Sequence, residues 1–148
     1  MSGRKRHLLV DTLGLVLKAV VHSANLPDRQ GGKLVLSAVK GRFPRLVKIW
    51  ADQGYTGAFA RWAEETLKVD FEVVYPWWRQ LKRYWPEAYR QLKQGFQVIA
   101  KRWIVERTFA WLTFQRRLVK DYEYLPQTSE NLIYLAMIRL MLRRIAST

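Results

Sequence analysis

Two carboxylates stand where an acid could do chemistry. Asp52 directly follows the apolar run Leu46–Ala51 and precedes Gln53, Gly54 and Tyr55. In α/β sheets ligands gather at the carboxyl ends of strands, and a glycine lets a partner approach closely. A plain turn accounts for Asp52 equally well, because Asp and Gly are common turn residues. Glu106 lies in RWIVERTFAWL, residues 102–112, a strongly helical stretch rich in large apolar groups. Arg102 and Glu106 are four apart and share a helix face. Taken alone, that spacing is better explained by a surface ion pair worth about 0.3–0.5 kcal/mol. The residues themselves therefore leave both acids open.

Three further groups of residues could bind or react. Residues 77–85, WWRQLKRYW, mix cations with aromatic rings. Cations contact phosphates and aromatic faces stack on exposed bases. Arg79, Lys82 and Arg83 suit a phosphate-facing role. Trp77 and Trp85 flank turn prolines and suit core or cover positions. Along the stretch around Glu106, Lys101, Arg102, Arg107, Arg116, Arg117 and Lys120 add positive charge. His7 and His22, the only histidines, fall on neighbouring expected strands. Two ordinary strand residues are the better reading, because no third ligand with suitable spacing is near.

The elements that must position these residues follow from pattern. HLLVD (7–11), Thr12-Leu13-Gly14 and LVLKAVVH (15–22) read as an antiparallel hairpin. Asp28 is placed to N-cap a helix running to about Phe43, with Leu34, Val35, Ala38 and Val39 on one face. LVKIWA (46–51) is a strand ending at Asp52. A helix over 57–68 follows, with Phe59, Trp62, Ala63 and Leu67 on its apolar face. FEVVY (71–75) is a strand stopped by Pro76. A long helix over 99–117, a connector over 121–127 and a last helix from 128 or 129 to about 145 complete the chain. The order β-β-α-β-α-β-α-α indicates an α/β sheet covered by helices.

Composition narrows the function. The 148 residues carry 26 basic and 12 acidic side chains, a net charge of +14. That excess favours a polyanion, nucleic acid first and an anionic membrane surface second. The most apolar run, Leu132–Leu142, is interrupted by Arg139 and falls short of the roughly 18 residues that span a bilayer. No membrane partner is expected. With no cysteine, thiolate zinc sites, disulfides and cysteine nucleophiles are excluded.

Two of these motifs, with the hairpin before them, resemble a known family. IWADQGYTG (49–57) is similar to the second-aspartate motif of bacterial insertion-sequence DDE transposases, and RWIVERTFAWL to their glutamate motif. GRKRHLLVDTLGLVLKAVVHSANLPD (3–28) resembles the hairpin region preceding them, so the likeness covers nearly the whole chain in order. It implies a ribonuclease-H-like fold, a mixed sheet flanked by helices. Asp52 would be the second catalytic acid and metal ligand, and Glu106 the third. Arg102 takes the arginine position of the family's tyrosine–arginine–glutamate–lysine signature. Ile99 stands at its tyrosine and Thr113 at its lysine, with Arg116 and Arg117 one turn further on.

The implied chemistry is cleavage and joining of DNA at transposon ends and target. Three carboxylates hold two Mg²⁺ or Mn²⁺ ions about 3.5–4 Å apart, and hard oxygen ligands suit those ions. In that fold three strands precede the first helix, and the first acid lies on the first of them. Here two strands precede it. The resemblance therefore implies an N-terminally truncated catalytic domain over 1–120, lacking its first strand. A C-terminal connector and helix over 121–148 would pack on the same domain. Asp11 is the one local substitute for the first acid. Expected partners are double-stranded DNA and either a second copy or an upstream transposase fragment. The setting would be the bacterial cytoplasm, at the nucleoid.

Overall fold

A computed structural model describes residues 3–76, 78–87 and 103–147. Strand β1 (Arg4–Val10) and strand β2 (Val16–Ser23) form the expected antiparallel hairpin. Asp11 closes its turn. The Asp11 Oδ1 accepts from the Leu13 and Leu15 amides at 2.9 and 2.8 Å. The Gly14 amide donates to the Asp11 carbonyl at 3.0 Å, and Gly14 adopts φ +82°, which a side chain would resist.

Helix α1 (Asp28–Val39) follows. Its N-cap is Pro27, so Asp28 is the first helical residue instead of the expected cap, and it pairs with Lys5 at 2.8 Å. The helix ends four residues before Phe43, because Lys40 leaves the helical conformation at ψ 123° and Gly41 turns to φ +71°. Its buried stripe is Gly31, Gly32, Val35, Leu36 and Val39, whereas Leu34 is exposed. The glycines explain this shift of face. A Cβ at Gly32 would fall 2.7 Å from the Tyr55 ring and 2.9 Å from the Phe59 ring. Only a bare backbone lets the helix lie that close.

Strand β3 (Lys48–Ala51) leads through Asp52 into a single 3-10 turn (Gln53–Tyr55) and helix α2 (Ala58–Leu67). Strand β4 (Asp70–Val73) then pairs with β3 in parallel. Helix α3 spans Trp78–Tyr84. The long helix expected over 99–117 is instead α4 (Trp103–Thr113) and a short α5 (Arg116–Val119), and residues 99–102 lie outside the described set. Gln115 is extended at the break, which turns Leu118 into the core at 2% exposure. Helix α6 (Pro126–Ala146) opens with proline in its first turn, where a missing N–H does no harm.

The described strands form two two-stranded ladders, β1–β2 and β3–β4, where one mixed sheet was expected. Along β1 alternate side chains serve different cores. Leu8 packs with Ala19, Val21, Leu112, Leu118, Ile133 and Met137, under α4 to α6. Leu9 packs with Leu36, Ile49, Phe59, Ala63 and Phe71, under α1 and α2. The hairpin is thus sandwiched, as period-two alternation requires.

The strand edges differ. On the outer edge of β2, the Ala19 amide donates to the Tyr134 hydroxyl at 3.0 Å and the Val21 amide to the Glu130 carboxylate at 2.9 Å. Helix α6 therefore covers that edge. Arg6 and Leu8 stand opposite Val21 and Ala19. By the antiparallel alternation they turn their own N–H and C=O groups to the far edge of β1. On β3, the Val47 and Ala51 carbonyls accept from Asp70 and Val74 at 2.9 and 2.8 Å. Lys48 and Trp50 therefore face the edge away from β4. Among the described residues neither of these two edges carries a ladder partner.

Candidate active site and nucleic-acid surface

Asp52 sits at the carboxyl end of β3, exposed, in an extended conformation that caps the 3-10 turn. Its Oδ1 accepts from the Gly54 amide at 2.8 Å. This is the turn role read from the sequence, and it coexists with an exposed acid, since one oxygen is held while the group still faces solvent. Two neighbours brace the turn. Arg29 Nε donates to the Gly54 carbonyl at 3.0 Å, and the Tyr55 hydroxyl lies 3.1 Å from His7 Nδ1.

Glu106 is exposed in the first turn of α4. The next two residues anchor that helix to the hairpin turn. Arg107 Nη2 donates to the Leu13 carbonyl at 2.9 Å, and the fully buried Thr108 hydroxyl to the Gly14 carbonyl at 2.7 Å. The helix of Glu106 is thus fixed against the end of the hairpin that carries Asp11. Asp11 itself is half-buried, with Oδ1 engaged in closing the turn. Among the described residues, no three His, Asp or Glu side chains gather closely enough to hold a metal ion. The hard oxygens of Asp52 and Glu106 suit Mg²⁺ or Mn²⁺ as donor types, but among the described residues three acids are not assembled.

The expected DNA-facing cations divide into two groups. Arg79, Lys82 and Arg83 are exposed on α3, with the Arg79 guanidinium 4.8 Å above Tyr75 and that of Arg83 5.6 Å above Tyr84. Arg116 is exposed on α5. Trp85 is 62% exposed, so it is not the cover residue expected. Arg107 and Arg117 also have partners within the chain. Arg107 stacks on Trp103 and Trp111 at 4.4 and 4.8 Å besides its bond to Leu13. Arg117 pairs with Glu123 at 2.6 Å. Arg102 and Trp77 lie outside the described residues.

His7 and His22 stack with ring centroids 4.8 Å apart. No sequence signal linked His7 to Tyr55, because the contact joins residues 48 positions apart on separate elements. Among the described residues no helix is long and apolar enough to cross a membrane.

The described residues thus form a mixed α/β fold with one exposed acid at a strand end and a second on an aromatic-rich helix. The family is specific. The model of the transposase DDE domain matches residues 1–141, and the chain belongs to this family of insertion-sequence DDE transposases. No curated protein and no solved structure matches the chain.

Proposed function

We propose that the chain supplies two of the three acids, Asp52 and Glu106, of a metal-dependent site that cuts and joins DNA at transposon ends. The observation that carries this reading is the position of Asp52. It is an exposed carboxylate at the carboxyl end of a strand in a parallel ladder, inside a transposase DDE domain. The finer fold is ribonuclease-H-like. The two ladders support it: among the described residues neither the far edge of β1 nor that of β3 carries a ladder partner, and one strand between them would join both into a single mixed sheet. That strand would also bring the third acid, which Asp11, engaged in its turn, does not provide.

Asp52 and Glu106 would then hold the cation, which when bound supplies Lewis acidity to the phosphate oxygens. Arg79, Lys82, Arg83 and Arg116 would hold the phosphates, and Arg102 by its place in the signature. Arg107 orients the helix that bears Glu106. A DNA partner places the protein at the bacterial nucleoid. The absence of a three-acid group among the described residues favours a second state of the same fold, in which these residues alone bind DNA without cutting it.

The test is cleavage of transposon-end DNA in Mn²⁺. The chain alone is expected to leave the DNA intact. With a strand carrying a further acid supplied to the chain, cleavage should appear, and Asp52→Ala should lower it by about 100-fold or more, the effect of misplacing a nucleophile by about 1 Å. Cleavage by the chain alone that Asp52→Ala abolishes would contradict the need for a further acid. Restored cleavage indifferent to Asp52→Ala would contradict the role of Asp52.

A further inference from the structure

The connector between α5 and α6 is turned inside out. Its acids are sheltered and its rings face water. The Asp121 and Glu123 side chains are 12% and 18% exposed, whereas Tyr122 and Tyr124 stand 82% and 92% exposed. Each acid fastens the connector to the fold. Asp121 Oδ1 accepts from Arg4 Nη1 at 3.2 Å, from the Ser129 hydroxyl at 2.7 Å and from the Glu123 amide at 3.2 Å. Arg4 Nη2 donates to the Tyr124 carbonyl at 2.7 Å, and Arg117 Nη2 to the Glu123 carboxylate at 2.6 Å. Residues 121, 123 and 124 are thus tied down, and the two rings are carried outward on a held backbone. Tyrosine has few rotatable bonds, so fixing its ring against a partner costs little entropy. Large aromatic rings left uncovered together on a held segment mark a contact surface.

Charge selects the occupant. The carboxylates at 121 and 123 are met by Arg4 and Arg117, while Arg116 and Lys120, just before the connector, are exposed. The rings therefore stand in positive surroundings. A second copy of the chain would bring its own net charge of +14 against them. A nucleic-acid strand instead offers phosphates to the cations and flat faces to the rings. In a duplex those faces already stack on neighbouring bases, so the rings need bases that are unpaired. We propose that Tyr122 and Tyr124 form a stacking platform for unpaired bases of a DNA strand, with Arg116 and Lys120 on its phosphates. This rests on the reading of the chain as a DNA-binding protein and adds a substrate preference to it. Cations hold paired and unpaired DNA alike, whereas the tyrosines favour DNA with a single-stranded segment.

The experiment titrates the full chain, at one salt concentration, into two labelled DNAs. One is a blunt duplex. The other is the same duplex with a short single-stranded tail that carries a fluorescent base analogue. The chain should bind the tailed DNA more tightly and quench the analogue, as an aromatic stack does. Tyr122→Ala and Tyr124→Ala should each weaken binding of the tailed DNA by about fivefold or more, the effect of losing one base–ring stack. Both should leave duplex affinity and the thermal midpoint unchanged, because the rings are exposed. Tyr122→Phe and Tyr124→Phe keep the aromatic face and should keep both preference and quenching. Equal affinity of the unaltered chain for the two DNAs would overturn the platform while leaving duplex binding in place. So would alanine variants that retain the preference, or phenylalanine variants as impaired as the alanine ones. Self-association that the alanine variants lose, with both DNA affinities unchanged, would assign the rings to a second copy instead. If the chain binds neither DNA, the DNA-binding reading itself fails, and the proposal with it.

Discussion

Binding of double-stranded DNA to this chain is expected to collapse as salt rises. The net charge of +14 is the motive. Each neutralised phosphate releases condensed counterions and adds about 0.9 to the slope of log affinity against log salt. About six phosphate contacts would give a slope near −5, and affinity would fall by roughly 10³ between 50 and 200 mM salt. Single substitutions separate contact from scaffold. Arg79→Ala, Arg83→Ala or Arg116→Ala, at exposed positions, should each reduce the slope by about 0.9. Arg107→Ala should leave the slope unchanged and lower stability instead, because its guanidinium is engaged by Leu13 and two indoles. Fluorescence anisotropy over a salt series reads both effects. A flat response would mean that the charge does not serve a nucleic acid.

The largest expected loss of stability is at Leu112. Its side chain is 1% exposed and packs among Ala19, Val21, Leu118, Ile133 and Met137. That cluster joins α4, the helix of Glu106, to the hairpin and α6. Leu112→Ala removes the buried atoms and leaves a void that rigid neighbours fill only partly, which costs about 2–5 kcal/mol. Two residues on, Phe114 is 83% exposed. Phe114→Ala, a surface change, should stay within about 0.5 kcal/mol. Urea unfolding compares the two. Equal effects would place the core elsewhere. Because Leu112 and Glu106 share a helix, the Leu112 variant should also weaken metal binding, whereas the Phe114 variant should not.

Much of the local structure was legible in pattern. The turn of Thr12-Leu13-Gly14 between two β-rich runs specified the hairpin, and the residues around Asp52 specified a strand end. What pattern missed depended on tertiary contacts. The inward face of α1 follows Gly31 and Gly32, which carry no hydrophobic signal but allow close approach to the histidines, Tyr55 and Phe59. Gln115 breaks the expected long helix so that Leu118 can reach the core, a choice invisible to a helical period. The two short acid motifs identified the family correctly. They could not reveal that Asp11 closes its own turn, or that Arg107 is engaged by the Leu13 carbonyl and two indoles. Those roles are set by backbone groups and rings brought in from elsewhere in the chain.

The central claim is that Asp52 and Glu106, 54 positions apart in sequence, share one cation. A double-mutant cycle on Mn²⁺ affinity tests it most directly. Residues acting on one ion are coupled, and their losses do not add. Asp52→Ala alone, Glu106→Ala alone and the double substitution should all weaken Mn²⁺ binding to a similar extent, while the fold, followed by circular dichroism, is unchanged. Losses that add, or a single substitution that leaves the affinity intact, would show that the two acids do not meet at a metal.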